Sequence, residues 1–265
     1  MRLHVLHRTA YHYAAPASYS IQLLRLTPRR EPMQRVLAWR LATPGRRVEQ
    51  LDPFGNHAHL MTLEGAHEEL VVQAEGVVET DDAFDGRLAP EPGLSPLAYI
   101  APTALTRPSA PIGDLAAEVF GAGPATPANV QRLLAAVTGR VRYRRGSTQV
   151  TDSAGDVIER GAGVCQDQAH VAIAACRAAG IAARYVSGHM LNEEEHTAGH
   201  AWIDVWLAAE GRWLSCDVTH AEVAGPRLCR IAVGRDYLDA APVRGMRRGG
   251  GRERLEVRVA VTGEQ

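Results

Sequence analysis

The chain has 265 residues, 46% of them hydrophobic, which is enough for one large domain or two modest ones with real cores and excludes disorder as the default. Its 29 basic residues nearly balance 30 acidic ones, so at a formal net charge of -1 nucleic acid is not an expected partner, and pairs such as Arg29-Arg30 and Arg247-Arg248 read as solvated surface. No apolar run approaches the roughly 20 residues of a membrane span, and the start of the chain alternates apolar and polar residues unlike a secretory leader, so a cytoplasmic protein without a membrane partner is expected.

Residues 1–85 read as an N-terminal β-rich domain of short strands. Candidates are Leu3–Val5, Ile21–Leu26, Val36–Leu41 and Leu70–Val78, punctuated by Pro28, Pro44-Gly45 and Asp52-Pro53-Phe54-Gly55-Asn56. An antiparallel sandwich or barrel suits them. Residues 86–111 read as a linker, because Pro90, Pro92, Pro96, Pro102, Pro108 and Pro111 discourage helix and central strand. A core over 112–265 follows. The spacing predicts helices over 112–120 and 128–138, the second opened by Thr126-Pro127. A short segment, Asp156–Arg160, leads into Gly161-Ala162-Gly163, which loosens the backbone before the alanine-rich helix Cys165–Ala179 and its terminal Gly180. Ile181–Ser187 reads as a strand, Gly188–Gly199 as a polar loop, and His200–Leu207 with Arg212–Asp217 as a hairpin. Gly245–Gly251 reads as a surface loop or a mobile rim, and Leu255, Val257, Val259 and Val261 share one face of a last strand. The fold class is α+β.

The four cysteines, Cys165, Cys176, Cys216 and Cys229, lack paired metal-ligand spacing, so reduced thiols are expected, with neither a disulfide framework nor a structural zinc site. Cys165 alone begins a helix, where the positive end of the backbone dipole and unpaired amides favour thiolate and can stabilise an oxyanion. Cys176 lies mid-helix among alanines, and Cys216 and Cys229 lack a helix start, so these three read as core.

Geometry sorts the eleven histidines as partners of Cys165. His170, five residues along the same helix, is rotated about 140° away. His200 begins a strand that folds back onto the one ending at Asp217. Pairing Leu207 with Glu210 sets His200 opposite Asp217, and pairing it with Arg212 makes them diagonal neighbours on one face. In either register the carboxylate can fix the imidazole tautomer, whereas a one-residue slip separates them. Asp204 lies roughly 13 Å along the strand from His200 and is a poor orienter. Trp202 and Trp206 share the His200 face, as groove wall or as core. A metal held by Cys165, His200 and Asp217, or a silent binding scaffold, stays open as an alternative.

Three ordered blocks carry a family likeness: Gly163-Val164-Cys165-Gln166-Asp167-Gln168-Ala169-His170, His200-Ala201-Trp202-Ile203-Asp204-Val205, and Asp217-Val218-Thr219. They resemble the bacterial transglutaminase-like cysteine peptidase superfamily. The segments 184–188, 234–237 and 242–245 look like further family signatures. Leu24–Arg29 and Asp52–Asn56 resemble the β-rich domain that precedes the core in bacterial members. The resemblance implies a papain-like core with the nucleophile helix packed on an antiparallel sheet. It also implies Cys165 as nucleophile, His200 as base and then acid, and Asp217 as the residue orienting His200. Gly163, Val164, Gln166 and Trp202 are candidates for the substrate groove or oxyanion site. The reaction implied is acyl transfer through a thioester on a peptide or protein amide, hydrolytic by preference and transamidating as the alternative. No cofactor is expected, and a homo-oligomer stays open. Val218 stands where the family usually has proline, and Asp204 where it usually has glutamate.

Overall fold

The computed structural model describes residues 1–191 and 199–264. The chain begins with β1 (Arg2–Leu24), β2 (Gln34–Ala42), β3 (Arg46–Leu51), β4 (His57–Thr80) and β5 (Arg87–Leu88). A helical stretch follows, made of α1 (Ala110–Phe120), α2 (Pro127–Arg140), β6 (Arg142–Tyr143), α3 (Ala154–Arg160), β7 (Ala162–Gly163) and α4 (Cys165–Ala178). The remainder is β8 (Ala183–Met190), β9 (His200–Leu207), β10 (Arg212–Asp217), β11 (Glu222–Val223), β12 (Leu228–Gly234), α5 (Tyr237–Ala240), β13 (Val243–Gly249) and β14 (Glu253–Glu264). It is a mixed α and β fold whose two large sheets are antiparallel.

The first sheet is built on β1 and β4, which are far longer than the short strands expected. They pair along nearly their whole lengths, and the register shifts between His12 and Ala17. Pro16 falls in this break; it has no N–H for a ladder, and Ala14, Ala15 and Pro16 are exposed there. On the other edge of β1, β14 pairs with residues 2–13 and β13 with residues 17–24. The outer edge of β4 carries β2 and β3 in the same way. One continuous sheet therefore bends at Pro16, and residues from its two halves meet in a core of Tyr13, Ala17, Leu24, Leu26, Leu41, Met61, Leu70, Val72 and Ala74. The glycine-rich stretch after Val243 is thus a strand, with the surface turn confined to Gly249-Gly250-Gly251, all at positive φ.

The second sheet runs β11-β10-β9-β8-β12, with β5 added to β10. The 86–111 stretch is accordingly packed, since Leu88 pairs with Trp213 and Tyr99 is fully buried. α4 crosses this sheet and is flanked by α1, α2 and α3. Small side chains allow that burial: Ala169, Ala172, Ala174, Ala175 and Cys176 are all inaccessible. The helix begins at Cys165 because the Asp167 carboxylate accepts the Val164 N–H at 2.7 Å and the Thr148 hydroxyl at 2.6 Å. Gly163 is held in the β6–β7 pairing rather than loose. A Cβ there would sit 2.6 Å from the Asp167 Cβ, so the cap requires glycine. Gly180, at φ +72°, follows the helix end. Thr126 caps α2 in a reciprocal box with Asn129.

The two sheets are joined by polar contacts that the charge pattern concealed. Arg29 is buried, not solvated, and bonds Glu31, Glu91, the Phe54 carbonyl and Asn56. Asn56 exchanges hydrogen bonds with the Val233 backbone at 2.7 and 2.8 Å, and Gln34 does the same with Arg230. Leu3, Val5, Val78, Val259 and Val261 pack into the core of α1–α4 and the second sheet. Of the polar loop expected over 188–199, Gly188–Met190 belongs to β8, and residues 192–198 lie outside the described residues. Among the described residues no helix is long and apolar enough to cross a membrane.

Candidate active site

Cys165 is the only one of the four cysteines that is not buried, and all four are unpaired. Burial pushes the Cys176 and Cys229 thiols up to about 12 and Cys216 higher still, so these three stay neutral in the core. Cys165 is the first residue of α4, where backbone N–H groups have no intrahelical acceptor, and it lines a cavity of about 580 Å³.

The β9–β10 hairpin adopts the register that pairs Leu207 with Arg212, making His200 and Asp217 diagonal neighbours. His200 Nε2 and Asp217 Oδ2 are 2.7 Å apart. Nδ1 is left to a further partner, and Cys165 lines the same cavity as His200. Burial opposes a charged His200, but the hydrogen bond to Asp217 and the nearby Cys165 outweigh it and raise the imidazole to about 10. Burial likewise works against an ionised Asp217, yet His200 and His220 hold its carboxyl well below the usual range. The arrangement sets an imidazole against a carboxylate in a cavity that a helix-start thiol also lines.

Asp217 is aimed by its own turn. Oδ1 accepts the N–H groups of Thr219 at 3.0 Å and His220 at 3.3 Å, and the Thr219 hydroxyl bonds Gln168 of α4 at 2.8 Å. Val218, fully buried, leaves that aim intact. His220 itself is a residue that the sequence reading missed. Its Nδ1 lies 2.8 Å from the same Oδ2 that serves His200, its ring is 5.7 Å from the His200 ring, and it reaches the cavity. The hydrogen bond to Asp217 raises its pKa. The signal was the Asp217-x-x-His220 spacing across a tight turn. His200, Asp217 and His220 offer ligand atoms within 4.8 Å of one another, a grouping that these two hydrogen bonds account for; Cys165 is not part of it.

The groove candidates separate. Val164 and Gln166 line the cavity, although the Val164 N–H is committed to Asp167 and is not free for an oxyanion. Gly163 does not line the cavity and serves the helix cap. Trp202 also lies outside the lining: 1% exposed, it stacks behind His200 with centroids 6.0 Å apart and donates to Ser215 Oγ at 3.1 Å. A Cβ on Gly188 would fall 2.5 Å from that indole, so glycine there lets the ring lie against β8. Trp206 packs on Trp213, 5.1 Å between centroids. His170, burial-depressed to about 3, faces the Tyr237 amide instead of the thiol. Asp204 is buried between Arg184, at 2.6 Å, and Arg230, at 3.0 Å. Arg235 pairs with Asp239 and Asp236 caps α5, a hydrogen-bonding knot, while Tyr237 extends from it into the cavity lining.

Comparison with known proteins now decides the family. The description "Transglutaminase-like superfamily" matches residues 113–218, and "Bacterial transglutaminase-like N-terminal region" matches residues 3–79. An uncharacterized protein of Mycobacterium leprae is 32% identical across 98% of each chain. The chain belongs to the bacterial transglutaminase-like superfamily. An uncharacterized protein of Mycobacterium tuberculosis is 30% identical to this transglutaminase-like chain over 92% of it and 87% of the relative. Among solved structures, a candidate cysteine protease from Cytophaga hutchinsonii superposes with a TM-score of 0.78 at 25% identity, covering 100% of this chain and 92% of that one. The superfamily match falls on the α4 region and the N-terminal-region match on the bent sheet.

Proposed function

We propose that this transglutaminase-like protein hydrolyses peptide or amide bonds by thiol-dependent acyl transfer. The observation that carries the reading is His200, 2.7 Å from Asp217 and lining one cavity with Cys165 at the start of α4. The Cys165 sulfur attacks the amide carbonyl carbon, forming a C–S bond while the carbonyl π pair moves to oxygen. The first-turn amides of α4 receive that oxyanion. Collapse expels the amine, which takes the proton from His200 and leaves a thioester. Water then attacks the thioester, His200 takes its proton, and the C–S bond breaks to give the acid and restore the thiolate–imidazolium pair. Asp217 keeps the ring aimed and its charge balanced throughout. A protein or peptide is the proposed substrate. The unpaired cysteines suit a reducing compartment, consistent with a cytoplasmic site of action.

The test combines labelling and turnover. Iodoacetamide near neutral pH is expected to alkylate Cys165 first, and His200→Ala to remove that selectivity. A mixed peptide library should gain new N-termini, read by mass spectrometry, with wild type and not with Cys165→Ala. Equal, sluggish alkylation of all four cysteines with no new termini would sink the proposal. Incorporation of a biotinylated amine in place of cleavage would reassign the reaction as transamidation.

A further inference from the structure

The bent sheet does more than support the catalytic core, because one of its faces continues into the cavity. On β1 the residues Leu3, Val5, His7, Thr9 and Tyr11 alternate onto a single side, and on β14 so do Val261, Val259, Val257 and Leu255. The register sets Val5 opposite Val261, His7 opposite Val259, Thr9 opposite Val257 and Tyr11 opposite Leu255. At one end of this strip Leu3, Val5, Val259 and Val261 are buried against the core. At the other end the strip leaves the core and becomes wall: His7, Thr9, Tyr11, Val257 and Leu255 line the same cavity as Cys165 and His200.

There the apolar surface is open. Leu255 is 51% and Val257 46% exposed, although both belong to the face that is buried at Val259 and Val261. Val243, from β13, joins them on the cavity wall. The strip carries no charge near neutrality. His7 is buried and bonded through Nε2 to Thr9 Oγ1 at 3.0 Å, and burial drives its imidazole down to about 4. The exposed Arg145 belongs to the segment after β6 and not to this strip. A charged substrate group set against the strip would lose hydration without gaining a partner, while an apolar group would extend an interface already dry on the core side.

We infer that the N-terminal sheet supplies the specificity subsite of the enzyme, an uncharged wall of Thr9, Tyr11, Leu255 and Val257 that receives a large apolar side chain of the substrate next to the reacting amide. The inference rests on Cys165 being the nucleophile, as proposed above. It assigns selectivity to residues from the two ends of the sequence, both outside the 113–218 stretch that bears the thiol, the imidazole and the carboxylate. The occupant is a single side chain beside the scissile bond.

Peptidyl chloromethyl ketones test this without requiring hydrolysis, since they alkylate a reactive thiol at a rate set by binding beside it. Reagents carrying Phe, Leu, Gly, Asp or Lys next to the reactive carbon are compared by their rate at Cys165, each divided by the iodoacetamide rate of the same protein. Phe and Leu reagents are expected to react about tenfold faster or more than Asp and Lys reagents. Leu255→Asp and Val257→Asp, at half-exposed positions that can be changed without opening the core, should bring the ratio close to one while Cys165 still reacts with iodoacetamide. A ratio near one in wild type, or a large ratio that survives both substitutions, overturns the subsite. Loss of selective iodoacetamide alkylation in wild type would instead break the nucleophile assignment and take the subsite down with it.

Discussion

Asp204 and Asp217 stand on neighbouring strands of one sheet, both buried and both with carboxyls held far below the usual range, yet their partners differ in kind. Asp204 is clamped by Arg184 and Arg230, whose guanidiniums stay charged at any working pH. Asp217 faces two histidines, His200 and His220, whose imidazoles its carboxylate raises and which can exist with or without a proton. The same side chain is thus a fixed charge in one place and, in the function proposed above, the anchor of a proton relay in the other. Burial alone distinguishes neither; the proton affinity of the partner does.

The largest expected break in that comparison is Asp217→Asn, which keeps the shape and removes the charge that orients and stabilises the imidazolium. Turnover should fall roughly 10²–10⁴-fold with a near-native unfolding transition. Asp204→Ala should reverse the pattern: two buried arginines lose their counter-charge, costing roughly 3–5 kcal/mol in denaturant unfolding, and lost activity should track lost folded protein.

The third expectation separates the two by pH. Both aspartates have depressed folded values, so each contributes stability that is present above the unfolded carboxylate value of about 4 and disappears as pH falls through the folded one. His200, raised to about 10, contributes stability that is complete below about pH 6.5 and disappears as pH rises through 10. Wild type should therefore lose stability and turnover on the alkaline side near pH 10. His200→Gln should remove the alkaline stability loss and leave the acid one. An unchanged alkaline limb in that variant would detach it from His200. The smallest effect expected is for His220→Asn, about three- to tenfold in turnover, because its ring is partly solvated and Asp217 keeps its backbone donors. A loss as large as that of Asp217→Asn would place His220 among the reacting groups.

The parts legible in the sequence were those governed by local chemistry. Thr126-Pro127 marked the start of α2, Cys165 and Gly180 bracketed α4, and the β9–β10 hairpin followed from alternation, with its register narrowed to two choices. What stayed hidden depends on partners distant in sequence. Residues 253–264 pair with residues 2–13, a ladder no local pattern encodes, so the cavity wall of Thr9, Tyr11, Leu255 and Val257 was invisible. The glycines after Val243 suggested a loop because propensity is weak where a neighbouring strand supplies the hydrogen bonds. Arg29 read as solvated because charge counting ignores the half-buried Glu31 and the buried Asn56 that receive it. His220 escaped because its direction is set by the turn after Asp217 and not by strand alternation.

The pairing of β1 with β13 and β14 also has a meaning in time. Ribosomal synthesis delivers β1 well before its partners on that edge, so the edge waits unpaired while more than two hundred residues are made, although β4 covers the other side early. The thiol, imidazole and carboxylate emerge before the wall that screens what reaches them. In the function proposed above, a nascent chain in that interval holds the proposed nucleophile and its partners without the proposed subsite, which forms only when β14 joins β1.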